Sequence, residues 1–194
     1  IWTGQPYAEL VGGKEEGPAA FSAVFSAHNI EHQPCLVSHL ADLHSILEPG
    51  GQVFLVIPDA RYSFDHFLSL SSIGDVLEAH MTRRRRHSPR NVLEHRLLLT
   101  HNDPVRHWKG DHGADPHHRP LGDYWHGLLA RTQAELRQHA LYIDAHAWRF
   151  RPQTFRSIMR TLFDAGLTRL QVQRVYPTRH NQAEFFAVLG EDPA

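Results

Sequence analysis

Cys35 is the single cysteine among 194 residues, so no intrachain disulfide can form and a reducing compartment is the expectation. Nowhere does the chain offer the run of about 20 apolar residues that a bilayer-crossing helix requires. Its first residues, IWTGQPYAEL, lack the basic start and apolar stretch of a secretory signal. A cytoplasmic protein with no membrane contact is expected. Neither charge sign dominates: 20 Lys and Arg face 21 Asp and Glu, a formal net charge of −1 with neutral histidines. That balance argues against bulk attraction to nucleic acid. A nucleophile elbow is also missing, which disfavours a hydrolase built on the histidines.

What the chain has in abundance is histidine. Its 17 histidines can swing the net charge strongly positive as pH falls through about 6.5. Apolar residues make up 41% and charged residues 21%, enough for one globular domain spanning residues 1–194.

Hydrophobic patterning divides that domain into three stretches. AFSAVFSA (20–27) is a short apolar run and predicts a buried strand. After the turn HNIEHQP, Pro34 suits a first helical turn, and Leu36, Leu40, Leu43, Ile46 and Leu47 make a helical stripe. Pro49-Gly50-Gly51 predicts a stop and a turn. QVFLVIP (52–58) is nearly all apolar, the pattern of a strand covered on both faces. Residues 20–59 therefore read as a parallel, right-handed βαβ unit. Residues 60–150 hold most of the histidines, and predict helices near 70–81, 89–100 and 122–140 between polar loops. Residues 151–191 return to regular structure. Phe155, Ile158, Met159, Leu162 and Phe163 have helical spacing, with Gly166 as the stop, and 167–177 and 183–191 read as an antiparallel hairpin.

Three of these segments carry a family resemblance. AFSAVFSAHNIEHQP resembles the fourth strand and following turn of class I S-adenosylmethionine-dependent methyltransferases of the type 11 group, with their S-x-x-x-E-H pattern. LADLHSILEPGGQVFLVIPD resembles that family's next helix, L-x-P-G-G turn and fifth strand. The final helix and hairpin resemble its last helix and antiparallel sixth and seventh strands. The implied fold is an α/β, Rossmann-like partial sheet with a largely helical insertion at 60–150. The implied cofactor is S-adenosyl-L-methionine, and the implied acceptor is a small molecule or a glycan-type precursor. The family's glycine-rich cofactor loop has no counterpart: about 20 residues precede the first match, and Gly12-Gly13 does not follow an apolar strand. Weak or absent cofactor binding by this chain is therefore the expectation. The rival reading is a non-catalytic, methyltransferase-like remnant that binds partners or itself. With the first three strands absent, AFSAVFSA becomes an edge strand beside a partly uncovered surface of Val53, Leu55 and Ile57, and a homodimer is expected.

Ligands of open α/β sheets sit at the carboxyl ends of the strands, which selects the candidate residues. By resemblance Ser26, Ala27, His28 and Asn29 lie beside the cofactor. His28 is the candidate to orient a nucleophile or remove its proton, against a simple capping role for His28 and Asn29. Glu31 and His32 match the family's E-H pair and secure the turn, with His32 a lesser catalytic candidate. Asp59 and Tyr62 line an acceptor pocket, with Asp59 a catalytic candidate, and Arg61 binds an anionic group, against local capping and a surface ion pair. Asp65 follows on the same edge. In YIDAHAWRF (142–150), alternation puts Tyr142, Asp144, His146 and Trp148 on one face if the segment is extended. Packing accounts for Tyr142 and Trp148, while Asp144 and His146 form a candidate proton-transfer pair, Asp144 toward substrate and His146 in catalysis. No metal site is expected: the spacing of His28, His32 and Cys35 lacks a second cluster, and His112, His117 and His118 fit a polar loop. Arg83, Arg84, Arg85 and Arg86 read as a solvated face.

Overall fold

A computed structural model describes residues 5–11, 21–118, 122–138 and 142–191. Within them lie a four-stranded mixed sheet and seven α-helices. After helix α1 (Tyr7–Val11) come strand β1 (Phe21–Ala27), a short 3₁₀ turn (Ile30–His32), helix α2 (Leu36–Ser45) and strand β2 (Leu47–Pro58). Helices α3 (Ile73–Met81), α4 (Pro89–Leu97), α5 (Pro104–Trp108) and α6 (Gly122–Arg137) fill the middle of the chain. Helix α7 (Pro152–Asp164) and strands β3 (Gln171–Tyr176) and β4 (Glu184–Gly190) close it. The sheet order is β1-β2-β4-β3, with β1 and β2 parallel and the other pairs antiparallel. The parallel βαβ unit, the helical middle and the antiparallel hairpin of the sequence reading are all present.

One sheet face is the core. Val53, Leu55 and Ile57 of β2 and Phe185, Ala187 and Leu189 of β4 meet Leu36, Leu40 and Leu43 of α2 and Phe155, Ile158, Met159 and Leu162 of α7. The helical spacing read for α7 holds, and Gly166, at φ 70°, ends it. The other face is open, which corrects two expectations. β1 is not a buried strand: Phe25 is 78% exposed and stacks on Phe54 at 4.8 Å. β2 is not covered on both faces, because only its alternate residues are buried. The uncovered surface carries Phe54 and Val56 rather than Val53, Leu55 and Ile57, since register places Phe25, Phe54 and Val188 in one row.

Local chemistry explains the smaller departures. Pro34 lies outside α2, because Cys35 is its N-cap, and Leu47 already belongs to β2. Pro49-Gly50-Gly51 is a bulge inside β2 rather than a turn before it: Phe21 pairs with Leu47, and the register jumps before Ala23. Gly51 is required there, since a Cβ would lie 2.8 Å from the Phe21 carbonyl oxygen. Gly12-Gly13 lies outside the described residues.

Candidate functional site

Beyond β1 the chain turns through a non-glycine residue in the left-handed region, His28 at φ 48°. The turn that follows puts Glu31 inward. Its backbone oxygen accepts from Ala147 N at 2.7 Å and Trp148 N at 3.2 Å, which docks residues 145–150 onto the end of β1. Trp148 Nε1 donates to the Gln33 carbonyl at 2.6 Å. Asn91 of α4 and Arg149 each donate to the carbonyl of His146, holding the segment from its other side. Two stretches more than 100 residues apart in sequence thus form one floor at the carboxyl edge of the parallel pair.

The Glu31 carboxylate is the centre of this floor. Glu31 is 1% exposed, and neither oxygen has a hydrogen-bond partner among the described residues. Burial pushes its carboxyl above the usual range, opposed by its own backbone and by His146, His32 and His28. His28 Nδ1 lies 3.7 Å from Glu31 Oε1, and its Nε2 lies 3.4 Å from Glu184 Oε1. His32 Nε2 is 3.8 Å from Glu31 Oε1, and its Nδ1 is 3.0 Å from Asp144 Oδ1. His146 is buried with its Nδ1 2.6 Å from Asp65 Oδ2, and its ring meets that of His32 edge-on at 4.6 Å. Behind them Tyr142 Oη joins His87 Nε2 at 3.0 Å. Desolvation lowers His87 to about 4 and, with Asp144, pushes Tyr142 up to about 12.

The structure therefore brings His28, Asp144 and His146 to one place, with partners the sequence did not assign. Asp144 pairs with His32 and His146 with Asp65, not with each other: the Asp144 side chain is exposed and the His146 side chain is buried. Tyr142 is a hydrogen-bonding member and is not packed away. Ser26 Oγ is buried without a hydrogen-bond partner among the described residues at the end of β1, beside Ala27. Asn29 provides no side-chain cap, and its Oδ1 accepts from Gln33 Nε2.

Asp59 is a brace and not a free base. It is fully buried, and its carboxylate accepts from Arg61 N, Nε and Nη2 and from Thr178 Oγ1 at 2.6 Å. Arg61 is held by that same carboxylate, and Tyr62 stacks on Trp108 at 4.0 Å. This group of Asp59, Arg61 and Tyr62 shares no bond with the Glu31 ring among the described contacts. Cys35 is buried in the core. His112 joins His66 and His107 instead of His117 and His118, which bond to the Phe67 carbonyl and to Asp115. Arg84 pairs with Glu78, while Arg83, Arg85 and Arg86 are exposed.

Glu184 and Asp65 are the members to which sequence reasoning assigns no role, and Glu31 has only that of securing the turn with His32. The signal available for Glu31 is the E-H pair that it forms with His32 in the turn HNIEHQP. No helix among the described residues is long and apolar enough to cross a membrane. Neither the family models nor the curated proteins compared with this chain give a match.

Proposed function

We propose that this chain is the acceptor-side part of an S-adenosylmethionine-dependent methyltransferase, acting on a small-molecule or glycan-type hydroxyl. The observation that carries the reading is His28. It stands half exposed, in a strained backbone conformation, at the carboxyl end of a parallel strand and between two carboxylates. Strain of this kind persists where the surroundings over-determine it, as at working sites. The strand order supports the same reading, since a parallel pair followed by an antiparallel hairpin is what the resemblance implies.

Methyl transfer is a displacement in which protein groups align the reactants and take up the acceptor's proton. His28 receives that proton at one ring nitrogen, and the Glu31 and Glu184 carboxylates stabilise the positive charge so formed. The described residues do not make up a cofactor cradle. They offer the wall formed by Ser26, Ala27, His28 and Asn29, and no glycine-rich loop following a strand. The cofactor therefore enters the account as an expectation, and no step is assigned to it. A second copy of the chain across the open sheet face is the proposed protein partner.

The test is transfer of labelled methyl from S-adenosylmethionine by the full-length product of the reading frame, presented with pooled polar metabolites and saccharides. Labelled product is expected, and His28→Ala should lower turnover by about 100-fold or more while cofactor affinity holds. Absence of transfer, or turnover unchanged by His28→Ala at every pH, would contradict the proposal.

A further inference from the structure

Behind His28 lies an arrangement that shares Glu31 with it and adds His32 and His146, which the acceptor's deprotonation does not use. One atom each of Glu31, His32 and His146 lie within 4.8 Å of one another. Both imidazoles have Nδ1 held by a carboxylate, Asp144 at 3.0 Å on His32 and Asp65 at 2.6 Å on His146. A carboxylate there keeps the ring proton on Nδ1 and leaves the Nε2 lone pair free, which is how metal-binding histidines are oriented. His32 Nε2 faces Glu31 at 3.8 Å. Glu31 itself is 1% exposed with both oxygens unpartnered among the described residues. Buried anionic lone pairs without donors are costly, and a cation is one of the few groups that satisfies them.

The geometry points to a divalent transition-metal site formed by Glu31, His32 Nε2 and His146 Nε2, with Asp144 and Asp65 orienting the two imidazoles. Two imidazoles and one carboxylate suit zinc and the other late divalent ions, whereas calcium and magnesium prefer oxygen ligands alone. Three protein ligands leave a position open for water or a ligand oxygen, the mark of a working site as opposed to a closed structural one. Zinc bonds of about 2.0–2.2 Å in a tetrahedron space ligand atoms by about 3.4 Å. Side-chain rotations of little more than about 1 Å close the observed gap.

The other histidine group does not match this. The ring of His66 lies flat on His112 at 3.6 Å, so the two do not aim lone pairs at one point. His107 Nδ1 already faces His112 Nδ1 at 2.9 Å. Neither an unpartnered buried acid nor an orienting carboxylate stands among them.

The experiment is titration of the tag-free 194-residue chain, stripped by chelator, with zinc in competition with a chromophoric chelator. Cobalt(II) absorption provides a second readout. One equivalent should bind with a submicromolar Kd, leaving the His107→Ala variant unchanged. Glu31→Gln and His32→Ala should weaken it by at least about 100-fold, and Asp65→Asn by about 10- to 100-fold. Asp144→Asn alters an exposed carboxylate, with little risk to folding, and should weaken binding by about 10-fold. Zinc should raise the Tm of the wild-type chain and not that of Glu31→Gln. Equal affinity in wild type, Glu31→Gln and Asp144→Asn, or loss of the equivalent in His107→Ala instead, overturns the site. So does a wild-type chain that takes up no zinc. Methyl transfer without metal uptake would leave the proposed function standing and remove this inference, and metal uptake without transfer would do the reverse.

Discussion

His39 of α2 is buried, with Tyr7 Oη of α1 3.1 Å from its Nδ1 and no partner for Nε2 among the described residues. Desolvation lowers it from 6.5 to about 4. The unfolded chain therefore takes up a proton near pH 6.5, while the folded protein resists until about pH 4. Stability is complete above pH 6.5 and declines as pH falls through that window, by about 3 kcal/mol for this residue. His87, also lowered to about 4, adds to the decline. Urea midpoints from pH 7.5 to 4.5 should fall steeply for the wild type and less so for His39→Leu. Parallel curves would contradict the assignment. A residue's fate of this kind is poorly legible in sequence. His39, His87 and His146 are chemically the same letter as exposed His118, and only the packed chain decides which loses its water. Glu31, Asp65 and His146 converge from three stretches, so no local spacing could announce them, whereas His28 was readable because it directly follows a strand.

Elements were easier to read than residues. The helical spacing of Phe155, Ile158, Met159 and Leu162 is local information, and α7 follows it. Burial of β1 was misjudged because an apolar run is the same whether its second face meets helices or water. In the protein that face remains open: Phe25 is 78% exposed and Phe186 42%, alongside the free edge of β1 in the described sheet. An apolar edge with unpaired backbone groups favours pairing with another chain. The 194-residue chain should self-associate at micromolar concentration, most simply as a two-fold dimer. Phe25→Lys should shift it to monomer in sedimentation while its circular dichroism stays that of the folded wild type, because Phe25 is 78% exposed. A wild type that sediments as a monomer, or a Phe25→Lys variant that stays associated, would contradict this.

Taken whole, the molecule holds two buried acids in opposite ways. Asp59 satisfies its carboxylate with Arg61 and Thr178 and ties the end of β2 to the chain leading into β4. Glu31, equally buried, holds its carboxylate without hydrogen bonds amid three histidines at the end of β1. Sequence position alone made Asp59 the stronger catalytic candidate, since both acids follow parallel strands and their partners lie far along the chain. That contrast makes a paired measurement the most direct check: methyl-transfer turnover per folded molecule, with Tm, for Glu31→Gln and Asp59→Asn of the full-length protein. Glu31→Gln should cut turnover by about 100-fold while Tm holds or rises, because an unpartnered buried charge is removed. Asp59→Asn should lower Tm, by about 3 kcal/mol of lost stability, and leave turnover per folded molecule nearly intact. Full turnover in Glu31→Gln, with loss confined to Asp59→Asn, would contradict the placement of the site at Glu31.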